Sequence, residues 1–183
     1  MVSTHLVVLG NAEATRWVLT NQRMAFSEVG RRTAARLAPG DVMLFYASLK
    51  VWPALRAEPR PQGGMFIGSA LVLTRISRMR TPAKVGARHF EFGCEIFFEL
   101  LAPLGQGVAI TDVKDQLELT SGKPNYGQVL RRTPILLSRT DSELLTSRLR
   151  STAGPFEENV SQYFANGNVT TGRRPVSKSG EAR

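Results

Sequence analysis

Apolar and polar positions along the chain predict strands and helices in alternation, with the longest apolar runs at strand length. His5–Gly10 is compact and apolar with paired valines, which predicts a buried strand. Gly10-Asn11 ends it. Asn11 is a good N-cap, so Ala12–Leu19 is expected to be a helix with Trp17 and Val18 turned inward. Met24–Ser27 is a short extended piece, and Gly30 is expected to break the chain. Arg31–Leu37 then predicts a short basic helix with Arg31, Arg32 and Arg36 on or near one face. Pro39-Gly40-Asp41 is a turn, since proline fixes φ, glycine permits positive φ and aspartate bonds back to its own backbone. Val42–Ala47 follows as a wholly apolar strand, expected to be covered on both faces. Ser48 opens Leu49–Gly64, an irregular segment rich in Pro, Arg and Gly that carries Trp52. A loop of that length in a compact domain is usually functional or disordered.

Met65–Ile76 predicts another strand, with Gly68 marking a bulge or a close backbone approach. Arg75, Arg78, Arg80, Lys84 and Arg88 form a basic span to which the pattern assigns no element. Phe90–Leu101 is a strand with partly alternating Phe and Glu. Ile110–Gln116 is a helical turn capped by Thr111, Tyr126–Leu130 a tight helical turn, and Pro134–Leu137 a last strand. Thr140 is expected to cap a helix to about Leu149 with Glu143 completing the box, and Pro155–Phe164 to add another. Strands that succeed one another through loops favour antiparallel pairing. The expectation is an α+β fold: a small, mostly antiparallel β-barrel with flanking helices, over residues 1–165. Residues 166–183 have the composition of a disordered basic tail.

Charge narrows the partners. The net charge is +9 and the sequence pI about 10.6, which attracts phosphate backbones. The tail holds four cations against Glu181, a net +3, so +6 remains on the body. No apolar run approaches the ~20 residues that span a bilayer, and Met1–His5 has no signal-peptide pattern. No membrane partner is therefore expected. A lone Cys94 forbids an internal disulfide and fits a reducing, cytoplasmic setting. His5, His89 and Cys94 offer no pair at ligand spacing, so no metal and no cofactor are expected. Gly122-Lys123-Pro124 lacks the upstream glycine of a phosphate loop, and Asp112, Asp115 and Glu118 suit a solvated acidic face. Without a self-sufficient catalytic constellation, a binding module is the better reading than an enzyme.

One family then fits. Asp115–Arg132, which contains Gly122-Lys123-Pro124-Asn125-Tyr126-Gly127, resembles a signature of bacterial stand-alone EVE-domain proteins. Pro39-Gly40-Asp41 with Phe45-Tyr46, and Met65-Phe66-Ile67-Gly68, resemble two further signatures, in matching order over about residues 4–150. The resemblance implies a PUA-like barrel related to YTH domains and a partner nucleic acid, DNA or RNA, whose modified or flipped base is held in an aromatic and polar pocket. It implies that Tyr46, Ala47 and Ser48 face the pocket and that Gly10 and Asn11 offer backbone and amide groups. Phe26 and Ser27 would close one side, and Asn125, Tyr126 and Arg131 come from the late signature. Trp52 is added for its place just after the pocket strand. Tyr126 stands where the signature usually has Trp. Arg31, Arg32, Arg36, Arg56 and Arg60 are the candidate phosphate contacts. Two alternatives stay open. One is an enzyme on a small nucleoside or amide, using Asp41, Glu91 or Glu95. The other is a general RNA-binding or scaffold protein with a vestigial pocket. Oligomeric state is left open.

Overall fold

The computed structural model describes residues 2–131 and 133–165. Strand β1 (Thr4–Leu9) feeds helix α1 (Ala12–Asn21), and the Asn11 side chain caps it by accepting from the Ala14 amide at 2.8 Å. Strand β2 (Arg23–Phe26) leads into α2 (Glu28–Thr33), then β3 (Val42–Ala47) into α3 (Val51–Leu55). Strands β4 (Met65–Val72), β5 (Ser77–Val85) and β6 (Arg88–Leu101) follow in succession. The chain continues through β7 (Val108–Ala109), α4 (Ile110–Val113), α5 (Tyr126–Val129) and β8 (Ile135–Leu136). It closes with α6 (Arg139–Thr152), β9 (Gly154–Pro155), α7 (Phe156–Asn159) and a 3-10 turn at Val160–Tyr163.

These strands form one strongly curled half-barrel in the order β2-β6-β4-β3-β1-β8, so the expected α+β architecture with flanking helices holds. Strand β6 is the spine: it pairs antiparallel with β2, β4, β5 and β9. The exception to antiparallel pairing is β1 beside β3, which run parallel from Thr4 opposite Val42 to Leu9 opposite Ala47. Gly68 fulfils its expected role, because a Cβ there would stand 2.4 Å from the Leu100 carbonyl oxygen.

Strand β3 divides the core. Met43, Phe45 and Ala47 point into one cluster with Val18, Leu19, Trp52 and Phe98. Leu44 and Tyr46 point to the other face, into a cluster with Phe66, Ile110, Leu117, Leu145 and Leu149. Alternation along a strand requires this split. Burying both faces explains why the strand is apolar throughout. Asp141, at the start of α6, ties the second layer down. Its carboxylate accepts from the Glu118 and Leu119 amides at 2.7 and 2.9 Å.

Four local expectations are corrected. The basic helix begins at Glu28, not Arg31, because Ser27 caps it from Oγ to the Gly30 amide at 3.1 Å; Gly30 lies inside the helix. The segment 49–64 is not structureless: α3 forms in it and buries Val51, Trp52 and Leu55. The span from Ser77 to Val85 is a strand whose exposed cations hid the period-two pattern. Ser138 rather than Thr140 caps α6, and Glu143 pairs with Arg139 instead of closing a capping box. The expected basic tail, 166–183, lies outside the described residues.

Candidate nucleic-acid interface

The slot bounded by Tyr46, Ser48, Trp52 and Tyr126 is not formed. Tyr46 and Trp52 belong to the clusters on opposite faces of β3. Trp52 is fully buried, and its indole N–H donates to the Gly63 carbonyl at 2.9 Å. A side chain with its apolar body in the core and its one donor satisfied has nothing left for a ligand. Tyr46 meets Phe66 edge-on at 5.2 Å. Burial pushes its hydroxyl up to about 12, and the neighbouring Tyr126 hydroxyl adds to the shift. Tyr46 is buried in this layer and Tyr126, half-buried, packs against it. Asn125 and Arg131 are exposed beside them.

A second group does meet. The Ser48 hydroxyl donates to the Gly10 carbonyl at 3.1 Å, and the Ser48 amide bonds the Leu9 carbonyl. Gly10, Asn11 and Ser48 thus gather where the parallel pair β1 and β3 ends, next to Ala47, which is buried. Gly10 faces open space, with no heavy atom within 4 Å of where a Cβ would stand. The Asn11 oxygen is committed to capping α1, which leaves its amide nitrogen as the outward donor.

The most developed surface lies where α2 packs on β2 and β6, beside β5. Phe92 on β6 is opposite Phe26 on one side and Arg78 on the other, so these three side chains leave the sheet on one face. Phe26 is buried there, and the Ser27 Oγ accepts from the Gly30 amide at the cap of α2. The Arg31 guanidinium lies 4.7 Å from the Phe92 ring centroid and bonds Glu28 at 2.6 Å. The Glu28 carboxyl is held below its ordinary range by that bond, with Arg32 and Arg78 contributing at longer range. Beside Arg31 a recess of about 270 Å³ has a floor of Ala35, Leu37 and Ile76 and a rim of Arg32 and Arg75. A second cleft, of about 360 Å³, opens beneath β5 among Arg23, Arg78 and Arg80.

Arg36, Arg56 and Arg60 are exposed but line neither recess. The carboxylates considered for catalysis do not converge. Asp41 is buried and accepts from the Ser3 and Ala38 amides, while Glu91 and Glu95 are paired to Arg78 and Arg23 on the sheet surface. Burial raises the Cys94 thiol to about 12, so it stays protonated. Among the described residues no group of three His, Cys, Asp or Glu is placed to hold a metal ion, and no helix is long and apolar enough to cross a membrane. Sequence reasoning missed Phe92, Arg75, Arg78 and Arg23. Phe92 was signalled by the Phe and Glu alternation after Phe90, and Arg75 and Arg78 by the basic span before it, whereas Arg23 carried no pattern signal.

Solved structures share this course of the chain. The protein superposes on the Pho92 YTH domain, solved in complex with m6A, at a TM-score of 0.56 and 10% identity, covering 85% of this chain and 90% of that one. It superposes on the YTH domain of Zygosaccharomyces rouxii MRB1, solved in complex with N6-methyladenosine RNA, at 0.52 and 13% identity, covering 79% and 85%. The fold is YTH-like. A hypothetical protein from Leishmania major shares it at a TM-score of 0.51 and 11% identity, covering 82% and 96%. No family model matches the chain, and no curated protein matches it in sequence. At these identities the YTH-like likeness concerns the fold alone.

Proposed function

We propose that the protein is a non-catalytic reader of single-stranded nucleic acid that seats a modified or extruded base in the recess beside Arg31. The observation that carries the reading is the pairing of Arg31 and Phe92 at 4.7 Å beside a recess with an apolar floor and a basic rim. A guanidinium plane stacks on a base, an apolar floor takes its other surface, and rim arginines take the flanking phosphates. Phe26 and Ser27 act as braces, one beneath α2 and one at its cap. Support comes from the YTH-like course of the chain, from two neighbours solved with m6A or m6A-containing RNA, and from the +9 net charge. The EVE-type signatures and the paired state of Asp41, Glu91 and Glu95 point the same way, toward a binding module rather than an enzyme, and the lone, buried Cys94 suits a cytosolic setting.

The test is a titration with single-stranded RNA carrying N6-methyladenosine and with the unmodified strand, each at two salt concentrations. The modified strand is expected to bind more tightly, and both affinities to fall with salt. Equal affinities that ignore salt would remove the proposal. One observation favours a second seat for the same base: the open mouth at Gly10, Asn11 and Ser48, at the carboxyl ends of parallel strands. Loss of discrimination in Asn11→Ala or Ser48→Ala, but not in Phe92→Ala, would move the base there.

A further inference from the structure

We propose that the cleft beneath β5 is a separate phosphate seat, which takes a backbone phosphodiester of the strand whose base is read beside Arg31. Its ligand rests on that reading. The register of β5 on β6 jumps from Arg78 opposite Phe92 to Ala83 opposite Phe90. Met79, Arg80, Thr81 and Pro82 therefore arch away from the sheet, as bulges near binding sites do. Gly93 lies beneath the arch, where a Cβ would stand 2.5 Å from the Met24 carbonyl oxygen and 2.9 Å from the Met79 sulfur. The glycine lets the β2 backbone and the Met79 side chain come close there, and the cleft lies beneath the arch, with Gly93 and Met79 in its wall.

Its lining has the chemistry of phosphate recognition. Arg23, Arg78 and Arg80 bring guanidiniums, and Thr74, Ser77 and Thr81 bring hydroxyls. Thr74 Oγ1 already accepts from the Glu95 amide at 2.9 Å, so its own O–H is free to donate into the cleft. Glu95 bonds Arg23 and Glu91 bonds Arg78 at 2.8 Å. Each pair orients a guanidinium fork and leaves further N–H donors on it. Arg80 makes no ion pair among the described residues, so the cleft keeps an excess of positive charge.

The path of a strand follows from continuity. Arg75 and Ile76 line the base recess, and Thr74 and Ser77 line the cleft. Arg78 lies between them, close enough to Glu28 to depress its carboxyl. Strand β5 pairs with β6 and with no other strand among the described residues, so its far edge carries no ladder there. A chain leaving the recess crosses that edge to reach the cleft.

The experiment compares the wild type with R23A/R80A, two residues that line the cleft and not the base recess, using an oligonucleotide long enough to reach both sites and the modified nucleoside alone. The double variant is expected to lose about tenfold in strand affinity, with the salt slope smaller by roughly 0.7 for each phosphate no longer engaged. Its nucleoside affinity is expected to be unchanged. Unchanged strand affinity and slope would overturn the seat. Aggregation with unchanged strand affinity would also overturn it, and would assign these arginines to guarding strand edges. If strand affinity falls in the variant but the wild type ignores the modification, the base reading fails and the seat stands. If the wild type binds no strand, both fail. Should the double variant not fold, R80E alone, at a side chain outside any ion pair among the described residues, is held to the same outcomes.

Discussion

The guanidinium of Arg31 is held between two partners, the Phe92 ring at 4.7 Å and the Glu28 carboxylate at 2.6 Å. Its plane is thereby fixed before any ligand arrives, which lowers the ordering cost of binding. Arg31→Lys keeps the charge and loses the plane. The expected result by calorimetry is an unchanged salt dependence with reduced preference for the modified strand. Phe92→Ala removes the support and is expected to weaken modified-strand binding about tenfold, the scale of removing one stacking partner. Full discrimination retained in Arg31→Lys would show that the plane is not what reads the base.

Trp52 makes the opposite case. Its ring is fully buried and its N–H is satisfied by Gly63. Trp52→Ala is expected to cost about 3–5 kcal/mol in urea unfolding, the range for emptying a large aromatic site. Trp52→Phe leaves the Gly63 carbonyl without its donor and is expected to cost about 1–3 kcal/mol. In both, the folded fraction binds nucleic acid as the wild type does. A binding loss larger than the unfolded fraction explains would restore Trp52 to the interface.

Acid sensitivity is expected from the buried His5, which lies 3.4 Å from Asp41 at Oδ2. Burial lowers its pKa below the ordinary value, and Asp41 opposes the shift without cancelling it. The folded state therefore binds a proton less readily than the unfolded chain does. Stability is full above the ordinary histidine range near 6.5 and is lost as pH falls through the lowered folded value. Urea midpoints taken across that window are expected to fall toward acid in the wild type. In His5→Gln they are expected to fall less. Parallel pH profiles would place the acid sensitivity elsewhere.

The frame of this fold was legible because its signals are local. The turn at Pro39-Gly40-Asp41, the apolar run Val42–Ala47 and the Asn11 cap each act within a few residues, and each formed as expected. The interface was less legible because it depends on register. Phe26, Phe92 and Arg78 come from three strands, and only the β2-β6-β5 pairing puts them in a row. Strand β5 showed cations where a strand pattern needs alternation, since its apolar support comes from β6 across the hairpin. Trp52 was misplaced for a related reason. Nearness in sequence to Tyr46 says nothing of which face of β3 each side chain takes, and a short helix carried Trp52 to the other one.

The backbone demands a glycine at position 68 and not at position 127. Gly68 pairs with Phe45 on one side and Leu101 on the other, in the middle of the sheet. A Cβ there would meet the Leu100 carbonyl oxygen at 2.4 Å and its carbonyl carbon at 3.4 Å. Backbone cannot swing aside as a side-chain tip can, so β4 and β6 must part or shift register. Gly68→Ala is expected to destabilise by about 1–3 kcal/mol, as overpacking does. Because β6 also holds β2 and β5, the displacement is expected to reach the Arg31 recess and weaken strand binding as well. Gly127, within α5, has no heavy atom within 4 Å of where its Cβ would stand. Gly127→Ala is expected to leave binding intact and stability unchanged or raised by up to about 1 kcal/mol. Urea unfolding and strand titration of the two variants side by side give the check. If Gly68→Ala matched Gly127→Ala in both measurements, the close approach of β4 to β6 would not be what holds the half-barrel and its arginine face in register.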